Sequence, residues 1–331
     1  PTKAFNCGAF EGLGGVVYLI AHLYHLWQAP WLLAFGHIFC EKLAKMVASD
    51  DSFDIMSGSA GAVLSLLSYF QVTNDSQILA IACHFGDHLV DNFCEIKGGW
   101  PNSTVKGRVL NGFSHGNAGI AYALMRLYRH STEGSSKEGT SESRIDSYQQ
   151  VAIKAIRHEQ SSYCPDINNW LDLRFDDKDQ QQKQAMTAWC NGSMGIGYSR
   201  LLLQKELRKQ LQPLQDLIVD NELTLDIRRA ATDVLSKPQL KDHGLCHGHF
   251  GNQEFVQQLM LSGQIELSES RFNANINDYL SGMNDNGLLA GREGIEQLGL
   301  MDGLAGIGYQ LLKFALPHQL PSILMLQAPV I

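Results

Sequence analysis

Apolar residues along the chain gather in two kinds of segment that alternate. In the first kind apolar residues fill nearly every position, as in residues 16–27, 62–70, 120–128, 196–203, 255–261 and 307–316. In the second kind apolar and polar residues recur with helical spacing, as in residues 31–48, 77–93, 148–158, 222–235 and 268–280. A helix that is apolar on all sides is buried on all sides, whereas an amphipathic helix exposes its polar side. The pattern therefore predicts buried inner helices covered by half-exposed outer helices.

A short glycine pattern, G-x-x-G, precedes each of the all-apolar segments. Its first glycines are Gly12, Gly58, Gly116, Gly192, Gly248 and Gly303. Successive copies are 46, 58, 76, 56 and 55 residues apart, a spacing that suits a helical hairpin with its loops. Six such hairpins favour an all-α fold, an α/α toroid in which six inner helices lie inside an outer ring. The glycines by themselves indicate close packing of backbones and no activity.

The first repeat has too few residues before Gly12 to form an outer helix. Together with Pro1 as the first residue, this predicts a toroid truncated at its N-terminal outer helix. Residues 131–147 are of low complexity and fall within the longest interval, so we interpret them as a flexible surface insertion. On this interpretation residues 1–331 form one toroid domain.

Composition narrows the classes of function. The 331 residues are 44% hydrophobic and 18% charged, as in a folded globular protein. The net charge is -8 and basic residues form no run, which argues against a nucleic-acid partner. Residues 16–27 contain His22 and His25 and are shorter than the ~20 residues of a membrane span, so no integral membrane segment is predicted. Seven cysteines, an odd number, without a signal peptide favour thiols or metal ligands in the cytoplasm.

Two cysteines occupy matching places in neighbouring repeats. Cys190 and Cys246 each stand two residues before the first glycine, and His247 stands one residue before it. Matching slots on adjacent inner helices predict that the two thiols are neighbours. Two cysteines and a histidine suit Zn²⁺, and three protein ligands leave a fourth position for water or substrate, as in catalytic zinc sites. The alternative is that the thiols are small buried apolar groups and the imidazole a satisfied polar one.

His115 occupies the slot of His247 in the third repeat, without a preceding cysteine. It is a candidate proton donor or acceptor facing the metal, or else a helix cap. Asp54, four residues before Gly58, is a candidate to orient an imidazole or hold a substrate amide, or else an N-cap. Glu11 and Asp302 stand directly before a first glycine, where the helix dipole accounts for a carboxylate.

Three further side chains near the motifs are weaker candidates. His243 and His249 flank the fifth motif. They are either supports of the metal ligands or polar residues without a functional role. Trp189 precedes Cys190 and is a candidate to pack against substrate, although tryptophan at such a place is more often part of the core.

Three motifs together resemble the lanthionine synthetase C-like cyclases, over nearly the whole chain. They are Ser114-His115-Gly116, Trp189-Cys190-Asn191-Gly192 and Leu245-Cys246-His247-Gly248. The continuation Gly251-Asn252-Gln253-Glu254 is similar to the C-terminal cyclase domain of class II lanthipeptide synthetases. In those enzymes a dehydratase domain lies upstream, which agrees with the predicted truncation.

The resemblance implies a zinc site formed by Cys190, Cys246 and His247, with His115 and Asp54 as catalytic residues. It also implies an activity: a cysteine thiol of a dehydrated precursor peptide adds to dehydroalanine or dehydrobutyrine and closes a (methyl)lanthionine thioether ring. One departure is that residues 185–188 read Ala-Met-Thr-Ala, where stand-alone cyclases often carry an arginine.

Three other functions stay open. The first is a lanthionine synthetase C-like enzyme that adds glutathione or another thiol at the same zinc site. The second is a non-enzymatic helical scaffold stabilised by zinc, which a closed fourth coordination position would support. The third is a glycosidase with a carboxylate pair on an α/α toroid, for which the Cys/Cys/His set would be unnecessary.

Overall fold

The computed structural model describes residues 5–102, 105–133, 141–175, 183–210, 214–240, 242–290 and 297–330. Six α-helices of this part follow the glycine pattern: α1 (Leu13–Trp27), α3 (Ser59–Thr73), α5 (Asn117–Glu133), α7 (Ser193–Gln210), α9 (His249–Leu261) and α11 (Leu304–Ala315). Five α-helices lie between them: α2 (Pro30–Ala44), α4 (Ser76–Asp91), α6 (Glu142–Gln160), α8 (Leu214–Ser236) and α10 (Glu269–Asn286). A 3-10 helix (Val47–Ser49) and two short strands, β1 (Tyr163–Cys164) and β2 (Asn169–Trp170), complete the described elements. The predicted alternation of helices is confirmed there.

The glycine pattern has a steric cause. In five of the repeats the loop before the helix passes close to the first helical turn, and the second glycine stands where the two meet; these glycines are Gly15, Gly61, Gly119, Gly251 and Gly306. A Cβ atom on Gly119 would lie 2.0 Å from the carbonyl oxygen of Phe113, and one on Gly251 would lie 2.0 Å from that of Leu245. No side chain fits in that space, so these glycines hold the loop against the helix.

The chain divides into two compact units. The first contains Pro1–Cys164, Trp170–Gln184 and Pro321–Ile331, and the second contains Pro165–Asn169 and Ala185–Leu320. In the first unit α3 packs against α1, α4 and α5, and α5 packs against α6. In the second unit α7 packs against α8 and α9, and α9 also packs against α11.

Burial of the helices after the glycine pattern is uneven. Helix α3 buries both its apolar and its serine positions, among them Val63, Ser65 and Leu67. Helix α1, by contrast, leaves Leu19 54% and Leu26 71% exposed. The expectation of burial on all sides is thus confirmed for α3 and wrong for α1. Helix α1 packs mainly against α2 and α3, so one of its apolar faces is left exposed.

The segment 131–147 is partly helical. Residues 131–133 end α5 and residues 142–147 begin α6, while residues 134–140 lie outside the described part of the chain. A search of the described helices for one with the length and apolar character of a bilayer span finds none.

Candidate functional site

Backbone hydrogen bonds join the loops of successive repeats at equivalent positions. In each case the amide three residues before the first glycine donates to the carbonyl two residues before the first glycine of the next repeat. The bonds run from Ile55 to Ser114 (3.1 Å), from Trp189 to Cys246 (2.9 Å) and from Leu245 to Met301 (2.8 Å). The first joins loops of the first unit and the other two join loops of the second. Residues in matching slots are therefore brought side by side within each unit.

The thiols of Cys190 and Cys246 lie side by side in the second unit, as their matching slots predict. They share a hydrogen bond, and both residues are half-buried. That hydrogen bond, together with burial and the nearby Cys190, Asp302 and Asp242, raises the pKa of the Cys246 thiol. A divalent cation between the two sulfurs would reverse this shift, because a coordinated thiol loses its proton.

Cys246, His247 and Asp302 lie together. From the sequence, the helix dipole alone was expected to account for the carboxylate of Asp302. One possible ligand atom of each of the three lies within 4.8 Å of the others. The Nδ1 atom of His247 is 3.6 Å from Oδ1 of Asp302. This carboxylate oxygen is buried and accepts no hydrogen bond from the described residues. Asp302 was thus missed as a site residue, although it stands in the slot of His247 one repeat later.

These donors fit a zinc ion. Thiolate, imidazole and carboxylate are the three side-chain types that bind Zn²⁺ in proteins. Cys246, His247 and Asp302 supply one of each, and Cys190 adds a second thiol in contact with Cys246. A buried carboxylate oxygen without a hydrogen bond lacks the partner that such atoms normally have, and a cation would supply it.

A buried carboxylate of α8 holds the loop that carries Cys190. The Oδ2 atom of Asp233 accepts hydrogen bonds from Ser193 Oγ at 2.5 Å, Thr187 Oγ1 at 2.6 Å and Asn169 Nδ2 at 2.9 Å. Asp233 is 1% exposed. Because Thr187 and Ser193 flank Cys190 on both sides, Asp233 holds the loop on both sides of Cys190.

His115 and Asp54 form a hydrogen-bonded pair in the first unit. Nδ1 of His115 lies 2.6 Å from Oδ2 of Asp54. The other carboxylate oxygen of Asp54 accepts from the Ser57 amide at 2.8 Å. The Asp54 side chain is 4% exposed and that of His115 is 45% exposed. An ionised Asp54 can only accept, so the hydrogen bond places a proton on Nδ1 of His115 and turns Nε2 into the nitrogen available for chemistry.

The capping role that Asp54 was a candidate for belongs to Asp50. Oδ2 of Asp50 accepts from the amide of Ser59, the first residue of α3, at 2.8 Å. The loop of His115 is held by another buried carboxylate, Glu159 of α6, which accepts from the amides of Gly112 and Ala118. Both supporting residues escaped the sequence analysis, because they lie outside the repeated motif.

The weaker candidates make structural contacts. Nδ1 of His243 accepts from the Leu289 amide at 2.7 Å. The ring of His249 packs on that of Tyr279 with centroids 3.9 Å apart, and burial lowers the pKa of His249 to about 4. Trp189 is 1% exposed and belongs to the core.

Comparison with known proteins finds one family and a related fold. The family model of lanthionine synthetase C-like protein matches residues 2–325. Nisin cyclase is similar in structure, with a TM-score of 0.66 and 19% sequence identity, over 94% of this chain and 77% of that one. A sugar epimerase from a ruminal bacterium has a TM-score of 0.49 and 12% identity, over 82% of this chain and 74% of that one. No curated protein matches the sequence significantly.

The likeness to nisin cyclase confirms the predicted fold class, an all-α structure of the α/α toroid type. The family match extends over nearly the whole chain, as did the resemblance carried by the three motifs. This protein therefore belongs to the lanthionine synthetase C-like family.

Proposed function

We propose that this protein is a zinc-dependent lanthionine cyclase. Its substrate is a dehydrated precursor peptide, whose cysteine thiols add to dehydroalanine or dehydrobutyrine to form (methyl)lanthionine rings. The observation that carries the proposal is the donor set of Cys246, His247 and Asp302 beside the Cys190 thiol, in a member of this family. We further propose that the chain is one cyclase domain, works with an upstream dehydratase domain of the same polypeptide, and acts in the cytoplasm.

The proposed metal ligands are Cys190, Cys246 and His247. When bound there, Zn²⁺ lowers the pKa of a substrate thiol far enough for the thiolate, which is the true nucleophile, to form at neutral pH. The site is open to a substrate, because the side chains of His247 and Asp302 are 43% and 41% exposed.

His115 is the proposed proton donor. Attack of sulfur on the β-carbon forms the carbon–sulfur bond and moves the electron pair of the double bond to the α-carbon and its carbonyl. The α-carbon must then take a proton. Because Nδ1 of His115 keeps its proton on Asp54, the proton comes from Nε2 of the doubly protonated ring, which has taken it up from solvent, and the donation leaves a neutral imidazole. The Asp54 carboxylate holds the ring in one orientation throughout.

The experiment compares single substitutions by two readouts, zinc content and ring closure. Ring closure is followed by mass spectrometry after alkylation of the thiols that remain in the peptide. Cys190→Ala and Cys246→Ala are expected to lose both zinc and cyclisation, whereas His115→Asn keeps zinc and closes rings more slowly. Cys94→Ala, at another half-buried cysteine, is the matched control and keeps both. Full activity of a metal-free Cys246→Ala protein would exclude the proposed function.

One observation favours a second candidate function. Asp302 lies within reach of the fourth coordination position, and a closed set of four protein ligands is typical of structural zinc. A zinc-stabilised scaffold would therefore hold the metal but leave every dehydrated peptide unchanged. The ring-closure readout separates the scaffold from the cyclase.

A further inference from the structure

One oxygen of the Asp302 carboxylate has no hydrogen-bond partner among the residues that the structure describes. Helix α11 begins after Gly303, and no side chain caps its first turn. The buried Oδ1 of Asp302 accepts no hydrogen bond from the described residues. Its neighbour Nδ1 of His247 lies 3.6 Å away, beyond the 2.7–3.2 Å of an N–H···O hydrogen bond. A buried carboxylate oxygen that neither caps a helix nor accepts a hydrogen bond needs another partner.

The 3.6 Å separation suits two ligands of one metal ion. Zinc binds imidazole nitrogen at about 2.0–2.1 Å and carboxylate oxygen at about 2.0–2.2 Å, so two such ligands of a tetrahedral site lie about 3.3–3.5 Å apart. Cys246 contributes a sulfur within 4.8 Å of both atoms, and the Cys190 thiol contacts that of Cys246. Among the described residues the group within 4.8 Å does not include the Cys190 sulfur, so a tetrahedron of all four requires the Cys190 side chain to move towards His247 and Asp302.

We propose that Asp302 is the fourth protein ligand of the metal centre in the substrate-free protein and that a substrate thiol takes its place. The inference rests on the proposed zinc site of Cys190, Cys246 and His247. Replacement is favoured because zinc prefers the softer thiolate sulfur to a carboxylate oxygen and because the Asp302 side chain is 41% exposed.

The exchange conserves every atom and charge. The carboxylate oxygen leaves the metal, the sulfur of the substrate occupies the vacated position, and the thiol proton passes to the released carboxylate. From there the proton reaches water. Asp302 thus keeps water from the coordination position until a thiol arrives.

The first test is the zinc affinity of the purified chain, measured by competition with a chelator of known affinity. Asp302→Asn keeps the shape of the side chain and removes the charge. It is expected to weaken zinc binding at least about 10-fold, since loss of a group that only supports the ligands already costs about 10–100-fold. The matched control is Glu11→Gln, in the same slot of the first repeat, where the carboxylate accepts a hydrogen bond from Ser57 Oγ at 2.7 Å. It is expected to leave zinc affinity unchanged.

The second test uses the visible spectrum of the cobalt-substituted protein during titration with 2-mercaptoethanol. In the wild-type protein the added thiol must displace Asp302, whereas in Asp302→Ala it displaces water. The sulfur-to-cobalt band is therefore expected to reach half its final intensity at a lower thiol concentration in Asp302→Ala. Circular dichroism of the metal-free variants checks that they fold like the wild type.

The outcomes separate this inference from the proposed function. Wild-type zinc affinity in Asp302→Asn, together with an unchanged thiol titration in Asp302→Ala, would overturn the role of Asp302 and leave the zinc site intact. A wild-type chain that binds no zinc, or a Cys246→Ala chain that binds it unchanged, would overturn both.

Discussion

At the scale of single residues, the buried Asp54 divides its two carboxylate oxygens between a loop and an imidazole. One oxygen fixes the loop through the Ser57 amide, and the other holds His115. Since Asp50 already caps α3, Asp54 is left to position the ring. A carboxylate placed in this way can set the tautomer and the direction of an imidazole without touching the substrate.

Asp54→Asn is predicted to slow ring closure at least about tenfold, since general acid catalysis by an oriented histidine contributes about 10²–10⁴-fold. An amide can present its NH₂ group to the ring and so allow other orientations of His115. Zinc content is expected to stay unchanged. Asp50→Asn is the control, because Asp50 bonds to the same loop and to α3 but not to His115, so the rate of the folded protein should be unchanged. Equal rates for Asp54→Asn and the wild type would remove Asp54 from the catalytic pair.

Sequence alone predicted much at this scale. The matching slots of Cys190 and Cys246 predicted contact of their thiols, and an imidazole was one of the proposed partners of Asp54. Asp302 was missed because a carboxylate at a helix N-terminus already has an explanation in the dipole. The signal was present: the interval from Gly248 to Gly303 is 55 residues, close to the 56 that relate the two cysteines. Applying the slot argument to His247 would have pointed to Asp302.

At the scale of elements, the loops before the helices after the glycine pattern contact both the first turn of those helices and side chains of the amphipathic helices. Glycines let each loop approach the first helical turn, and carboxylates of the following amphipathic helices accept hydrogen bonds from it. Asp233 of α8 does so for the loop of Cys190, and Glu159 of α6 for the loop of His115. These helices therefore position the site as well as covering the core.

Gly251→Ala is predicted to destabilise the protein by about 1–3 kcal/mol, because the new Cβ atom would lie 2.0 Å from the Leu245 carbonyl oxygen. The measurement is the midpoint of urea unfolding. Gly308→Ala is the control. Apart from its chain neighbours and its own helix backbone, no atom of the described residues lies within 4 Å of its Cβ position, and alanine favours a helix by up to about 1 kcal/mol. Equal losses in both variants would contradict the steric account of the glycine pattern.

Asp233→Ala is predicted to lower the free energy of unfolding by at least about 2 kcal/mol, because it leaves buried donors unsatisfied. Zinc affinity should fall as well, since the loop of Cys190 loses its support. The control is Asp220→Ala, which removes a surface ion pair between Asp220 of α8 and Arg208. It should lower the free energy of unfolding by no more than about 1 kcal/mol and leave zinc affinity unchanged. Unchanged zinc affinity in a folded Asp233→Ala protein would show that the loop holds its shape without this carboxylate.

The order of helices could be predicted because the apolar pattern and the glycines repeat together. The exposure of single faces could not. Leu19 and Leu26 give α1 an apolar sequence on all sides, and yet both are largely exposed. The apolar sequence of a helix shows that other helices can bury it. Which of its faces are buried depends on the helices that pack against it.

At the scale of the whole molecule, buried histidines make stability depend on pH. Burial lowers the pKa of His22 from 6.5 to about 4, an effect offset only in part by the Gln327 backbone. Between pH 6.5 and pH 4 the His22 side chain is protonated in the unfolded chain and neutral in the folded chain. Stability is therefore lost as the pH falls from 6.5 towards 4.

His22→Gln is predicted to remove about 2 kcal/mol of the stability difference between pH 7 and pH 5. Urea unfolding of the wild type and the variant at both values measures it. His84→Gln, at an exposed histidine of α4, is the control and should leave the pH dependence as it is. A wild-type pH dependence in His22→Gln would assign the acid sensitivity to other groups.

The family was predictable from the sequence for the same reason as the fold. Three motifs, each ending on the first glycine of a G-x-x-G pattern, carry the resemblance, and the family model matches residues 2–325. The supporting carboxylates were unpredictable, because Asp233 and Glu159 meet the motif loops only after the chain has folded. Their hydrogen bonds span 40 or more residues of sequence.

The central claim is that ring closure depends on zinc held by Cys190, Cys246 and His247. The measurement that tests it most directly is the rate of ring closure in a dehydrated peptide, as zinc is added back to metal-free protein. The account predicts a rate that rises in proportion to bound zinc and levels off at one ion per chain. A full rate without zinc, or no ring closure at one zinc per chain, would contradict it.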